Sequence, residues 1–399
     1  MKKIMSAVCA ASFGLLLILL IILVLHEVQT AGGRNTDVAA EITVRAEGEK
    51  QTGPPSAEQT EAMEIIGAET ETNREPVVID ISDTEENTGA ELLFAGDICI
   101  QDYIAGYYDV SGIGGIVDEE LKELMKTADI MMANQEFAFS ERGMPMEDKQ
   151  YTFEIAPRYV SIFTELGIDI VSLANNHALD YGQEALVDSF DTLDGAGISY
   201  VGAGRNLERA KELALFEVNG MKIGFLAASR VIPVTEWNAG LERPGMLTTY
   251  DPSALIAQIE AKRKLCDILV VYVHWGVERN EFPEDYQKMM ARQYIDAGAD
   301  VVIGTHPHVM QGIEYYKGKL IAYSLGNYIF SPRTGTGALL RLMFGRNGMQ
   351  AMLEPFDASA FPVKKLAEGK RAEFLRYMES ISFGISIDEA GRICYTQEN

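Results

Sequence analysis

From residue 90 onward the chain alternates short, β-branched apolar runs with longer stretches whose apolar residues recur at helical spacing. Runs of four to eight apolar residues that stop abruptly read as buried strands, and spacing of three and four reads as helix. On this basis strands are predicted over residues 91–97, 129–133, 168–173, 267–273, 301–304 and 320–324. Helices are predicted over 115–128, 157–166, 183–196, 255–265 and 286–297, with Pro157 suited to a first helical turn. Residues 213–218 and 221–227 flank Asn219-Gly220, the strongest short hairpin signal. Beyond residue 330 the pattern turns to antiparallel strands over 337–342, 351–355 and 381–387, with a helix over 368–379. Strands alternating with helices, followed by hairpin-linked strands, predict an α/β domain with more than one sheet.

The first ninety residues are of a different kind. Residues 4–25 form an uncharged apolar run preceded by two lysines and followed by Glu27, long enough to span a bilayer. An uncleaved single-pass anchor is expected, with the rest of the chain outside the cell. A cleaved signal peptide is the rival, but the run exceeds a usual signal-peptide core. Residues 27–89 are rich in acidic, Gly, Thr and Pro residues and lack a period, as in a disordered spacer. The expected organisation is therefore 1–26 lysines and anchor, 27–89 linker, and 90–399 a folded extracellular domain. Residues 77–81 have the composition of a short strand, although nothing in the sequence requires one.

Charge narrows the partners. The chain carries 59 acidic and 34 basic residues, a formal charge of −25. Nucleic-acid backbones are gripped by Lys and Arg, so a nucleic-acid partner is excluded. Arg333, Arg341 and Arg346 are the candidates for a local basic patch. Cys99, Cys266 and Cys394 in the domain are odd in number and widely spaced, which makes no disulfide framework.

The chemistry collects where the strands stop. Five apolar runs end in Asp97, in Asn134 with Glu136, in Asn176 with His177, in His274, and in His306 with His308. The chain has five histidines; His26 lies beside the apolar run and the other four all fall at these ends. Carboxyl ends of parallel strands are where open α/β sheets bind ligands. A cluster of carboxylates, amides and imidazoles without cysteine suits Mn, Zn or non-haem Fe. It holds more ligands than one tetrahedral ion uses, so two divalent ions sharing a carboxylate are expected.

These motifs resemble a known family. Gly96-Asp97, Asn134-x-Glu136, Ser172-Leu-Ala-Asn175-Asn176-His177-x-x-Asp180-x-Gly182, His274-Trp275-Gly276, Gly304-x-His306-Pro307-His308 and Ser324-Leu-Gly-Asn327-Tyr328 resemble, in the same order, the capsule and poly-γ-glutamate biosynthesis family CapA or PgsA. That family is similar to the calcineurin-like metallophosphatases, and the resemblance covers about residues 90 to 345. It implies a four-layer α/β fold, two packed mixed β-sheets flanked by helices, and a membrane-anchored extracellular domain. It also implies Asp97 and His308 on a first metal, Asn176, His274 and His306 on a second, and Glu136 between them. His177 resembles the residue that protonates a leaving group, with Asp180 beside it as the second catalytic candidate. Cys99, Asn134, Asn175, Trp275 and Asn327 are further candidates for the pocket. Cys99 stands where the phosphoesterase pattern has a histidine, and Glu136 where it has an aspartate.

Two functions follow from the resemblance. One is a membrane-anchored component of capsule or poly-γ-glutamate synthesis or export, working with membrane-bound synthesis subunits on an anionic cell-surface polymer. The alternative is a metal-dependent hydrolase that cleaves a phosphoester or a polyglutamate-type amide.

Overall fold

The computed structural model describes residues 78–80 and 89–396, except 332 and 347. Among the described residues no helix is long and apolar enough to cross a membrane. This corrects the expectation of a single-pass membrane protein with a membrane partner at its N-terminal helix; residues 4–25, on which that expectation rests, lie outside the described residues.

The elements, in chain order, are β1 (Val78–Asp80), β2 (Ala90–Ile98), α1 (Asp102–Ser111), α2 (Glu119–Thr127), β3 (Ile130–Gln135), α3 (Val160–Leu166), β4 (Ile170–Ser172), α4 (Gly182–Ala196) and β5 (Ser199–Val201). They continue with β6 (Ala214–Val218), β7 (Met221–Ser229), α5 (Ser253–Lys262), β8 (Ile268–His274), α6 (Asp285–Ala297), β9 (Val301–Thr305), β10 (Ile313–Tyr316) and β11 (Lys319–Ala322). The last are β12 (Gly335–Gly345), β13 (Gly348–Ala358), α7 (Glu368–Ser380), β14 (Ile385–Ile387) and β15 (Arg392–Tyr395).

Among the described residues two mixed sheets dominate. One has seven strands in the order β1-β6-β7-β8-β9-β11-β10. The other has nine, running β14-β15-β13-β12-β2-β3-β4-β5, with Lys364–Lys365 paired to β13. Strand alternation decides how they stack. On β8, Val270 and Tyr272 enter the large core that also holds Phe94 and Met132 of the other sheet. Leu269, Val271 and Val273 point the opposite way, into a second core with Leu255 and Ile259 of α5 and Met290 and Tyr294 of α6. The Tyr272 hydroxyl donates to the Ala95 carbonyl at 2.7 Å, tying the two sheets directly. On the far side of the nine-stranded sheet α2, α3 and α4 bury Leu121, Phe163 and Phe190 in the large core. The result is the expected four-layer architecture, helices outside two packed sheets.

Local details differ from the sequence reading. The helix read over 115–128 begins only at Glu119, because Asp118 caps it by accepting the Leu121 N–H at 2.9 Å. Residues 112–115 form a separate 3-10 turn, preceded by α1, a helix the sequence did not reveal. Within the 77–81 run, residues 78–80 form a strand parallel to β6 at the edge of the seven-stranded sheet. Of the three candidate arginines, Arg341 is paired with Glu91 at 2.7 Å and lies 3.7 Å from Glu354.

Candidate metal centre

The central strands of both sheets run parallel, so their carboxyl ends open on one side. In the nine-stranded sheet β2, β3 and β4 are neighbours, with Asp97 opposite Asn134 and Asn134 opposite Ser172. In the seven-stranded sheet Ser229, His274 and Thr305 stand side by side at the ends of β7, β8 and β9. Two glycines let the loops above these ends close in. A Cβ at Gly96 would lie 1.8 Å from the Gly326 carbonyl oxygen, and one at Gly304 would lie 2.0 Å from that of Tyr323. His306 and His308 then take positive φ values of 96° and 59°, which turn both imidazoles at one loop. Such conformations are costly for non-glycine residues and mark a built site.

Glu136 is the centre of this arrangement. Its backbone N–H donates to the Ile98 carbonyl at 2.8 Å, fixing it just past β3. Its side chain is fully buried, yet neither carboxylate oxygen has a hydrogen-bond partner among the described residues. One of its oxygens lies within 4.8 Å of ligand atoms of His274 and His306, and one lies within that distance of Asp97 and His308. His306 Nδ1 is likewise buried and unpartnered among the described residues. Unsatisfied buried polar atoms cost about 1–3 kcal/mol each, more when charged. Three such atoms, on two residues of one candidate ligand group, fit a cation that they would ligate.

Electrostatics agrees. Burial first, and then the neighbouring Asp97, push the Glu136 carboxyl well above the ordinary carboxylate range. Burial alone would lower His308, but the carboxylates of Glu136 and Asp97 raise it to about 10. Burial and the neighbouring His308 lower His306 to about 4, and burial pushes His274 well below its usual value. Two crowded carboxylates drawing a proton onto one imidazole while two others stay neutral is the charge distribution that a metal cation would relieve. Clusters able to hold metal are therefore present.

Hydrogen bonds orient the ligand atoms. Asp97 Oδ1 accepts from Asn134 Nδ2 at 2.8 Å, and its Oδ2 accepts the His306 N–H at 3.2 Å. Asn134 Oδ1 accepts from Asn175 at 3.0 Å, and Asn175 Oδ1 accepts the His177 N–H at 3.0 Å. Asn176 Oδ1 is 2.7 Å from His274 Nε2, and Thr305 Oγ1 is 3.2 Å from His274 Nδ1. His308 Nδ1 is 2.8 Å from Asn327 Oδ1. His177 Nδ1 is 2.7 Å from Asp180 Oδ2, beyond the Asn175-Asn176 turn.

One candidate sits elsewhere, and Cys99 adjoins the site without joining either ligand group. Trp275 is wholly buried in the second core, donating to the Tyr323 carbonyl at 2.9 Å and stacking on Tyr294. Cys99 is buried in the large core, and burial followed by the Glu136 charge keeps its thiol protonated. One residue went unnoticed. Lys149, in the loop between β3 and α3, inserts its ammonium against the Asp180 carboxylate and the Asn176 carbonyl, 3.1 Å from His177 Nδ1 and 5.1 Å from the centre of the Trp237 ring. A single lysine in a polar loop carries no periodicity that could have marked it.

With the geometry in place, comparison with known proteins decides the family. Residues 91–332 match the family described as "Bacterial capsule synthesis protein PGA_cap". The chain belongs to this family. It is 32% identical over 281 residues to the PGA biosynthesis protein CapA of Bacillus subtilis, covering 68% of this chain and 73% of that one. It is 31% identical over 273 residues to the capsule biosynthesis protein CapA of Bacillus anthracis, covering 66% of each. Among solved structures, the NAD nucleotidase of Haemophilus influenzae aligns over 76% of this chain and 57% of its own with 12% identity and a TM-score of 0.38. The fold of this PGA_cap protein is the α/β arrangement described above, with mixed sheets flanked by helices.

Proposed function

We propose that the chain is a metal-dependent hydrolase that cleaves a polyglutamate-type amide or a phosphoester. The expectation of a membrane-anchored component of capsule synthesis or export is corrected: no described helix can cross a membrane, and the buried carboxylate–imidazole centre favours the hydrolase. The observation that carries this reading is Glu136, buried, unpartnered among the described residues, and shared by both groups of ligand atoms. Asp97, Glu136 and His308 would hold one divalent ion; Glu136, His274, His306 and Asn176 would hold a second, with Mn, Zn or Fe suited to these donors. Bound there, such ions supply Lewis acidity and a hydroxide nucleophile at neutral pH.

The chain's own residues do the rest. Hydrolysis adds the oxygen of water to the carbonyl carbon or phosphorus and breaks the bond to the leaving nitrogen or oxygen, which must gain a proton. His177 would give that proton. Its Nδ1–H donates to Asp180, which leaves Nε2 as the atom that delivers it. Lys149 at Oδ1 and the Phe153 N–H at Oδ2 hold the Asp180 carboxylate that orients the imidazole. Asn175 pins the intervening turn. The names of the Bacillus relatives, which refer to PGA and to capsule, support the polymer as substrate. The test is to incubate the Mn-loaded chain with γ-linked glutamate oligomers and, separately, with simple phosphomonoesters and diesters. Metal-dependent release of glutamate or phosphate that chelation abolishes is expected; neither product with any metal would overturn the reading.

A further inference from the structure

The loop that carries Lys149 runs on into Tyr151-Thr152-Phe153, and its rings stand against the proposed proton donor. The Phe153 ring lies 4.7 Å from the His177 imidazole, centre to centre, tilted by 42°. Phe330, from the connection between β11 and β12, packs edge-on against Phe153 at 6.2 Å and lies 5.0 Å from the His308 ring. One aromatic wall therefore runs from the proton donor to a candidate metal ligand. Two residues before Phe153, the Tyr151 ring lies parallel to it within 12°, with 6.5 Å between centres, and is 61% exposed. Phe153 and Phe330 are half-buried, so the wall keeps a side open to solvent. The Phe153 N–H donates to Asp180 Oδ2 at 2.8 Å, which ties this ring to the same carboxylate that orients His177.

Proton transfer fixes where the leaving group must lie. A leaving atom protonated by His177 has to come within about 3 Å of its Nε2. The group bonded to that atom then falls beside Phe153, because the two ring centres are only 4.7 Å apart. Aromatic rings favour other rings, stacked or edge-on, beyond what burial alone supplies. We propose that Phe153 and Tyr151 form the leaving-group subsite and select a phosphoester whose alcohol carries a flat ring, with Phe330 closing the side toward the metals. In that reaction the oxygen of water adds to phosphorus and the P–O bond to the alcohol breaks. The alcohol oxygen leaves with the proton from His177 Nε2. A γ-linked glutamate unit has no ring, so of the two substrates considered above the wall favours the phosphoester. This rests on the hydrolase reading above.

The test compares benzyl phosphate with ethyl phosphate, whose alcohols have similar acidity, on the full chain loaded with Mn. Turnover gives kcat and KM, and calorimetry gives the binding of benzylphosphonate and ethylphosphonate, which lack the scissile ester. In the unaltered protein the benzyl compounds should be favoured about tenfold in kcat/KM and in affinity, the scale of one ring pair with its burial. Phe153→Leu keeps an apolar side chain and the N–H to Asp180, and should cut that preference to about threefold or less. Tyr151→Ala should cut it to a similar degree while leaving kcat/KM for ethyl phosphate unchanged. Tyr151 is exposed, so this variant should melt like the parent. Turnover of both esters without preference, or with a preference that survives both substitutions, would overturn the inference and leave the hydrolase standing. Tighter binding of benzylphosphonate that Phe153→Leu removes, without turnover of either ester, would support the subsite and remove the phosphoester activity. Failure to bind either phosphonate would remove the subsite.

Discussion

Glu136 shows most plainly how one residue sets the chemistry. A carboxylate with both oxygens buried and unpartnered among the described residues has no reason to be retained for stability alone. Glu136→Gln keeps the shape and removes the charge that two cations would share. It is expected to lower metal affinity more than His308→Ala, whose imidazole belongs to only one of the two ligand groups; isothermal titration with Mn ranks the two. His177→Ala is the complementary case, since its ring nitrogen is tied to Asp180 and lies in neither ligand group. The variant should keep its metal content by elemental analysis and lose about 10²- to 10⁴-fold in rate. Asp97, Glu136, His274, His306 and His308, the residues of the two candidate groups, were legible in the sequence because each follows an apolar run that stops abruptly. Lys149 was not, because its role exists only once the loop folds over Asp180.

Among the elements, strand ends were read within a few residues, since the alternation of Val270, Tyr272 and their neighbours is imposed by two different cores. Helix α1 was missed for a physical reason. Only Ile104 and Ala105 are buried, while Tyr103 and Tyr107 are exposed, so no apolar stripe forms. The positive φ of His306 and His308 also left no mark in the residue pattern. Gly304→Ala would place a methyl 2.0 Å from the Tyr323 carbonyl and 2.4 Å from Trp275 Nε1. It should cost about 2–4 kcal/mol in urea unfolding and weaken metal binding through displaced His306. Between β3 and β4, Asp169 accepts the Met131 N–H at 2.7 Å, and burial raises its carboxyl to about 6. The folded state therefore holds this proton more tightly than the unfolded chain. The penalty for ionising it in the fold is absent below about pH 4 and complete above about pH 6. Relative to Asp169→Asn, the unaltered protein should lose about 1–3 kcal/mol between pH 4 and pH 7, read from urea melts at both ends. A difference independent of pH would show that the carboxyl is ionised equally in both states.

For the whole molecule, two sheets contribute opposite halves of one centre: Asp97, Glu136 and Asn176 from the nine-stranded sheet, His274, His306 and His308 from the seven-stranded one. Each candidate ligand group draws residues from both sheets, so the packing that forms the large core also brings those residues together. The four-layer architecture was legible through the family motifs; the aromatic wall beside His177 was not, because Phe153 and Phe330 lie on separate connections that only the fold brings together. The account depends on two cations spanning that inter-sheet centre with Glu136 between them. Crystals grown with Mn, measured on either side of the Mn absorption edge, count them directly. Two anomalous peaks are predicted, one bounded by Asp97, Glu136 and His308 and the other by Glu136, Asn176, His274 and His306. A single peak, or none at these residues, would contradict the two-cation centre.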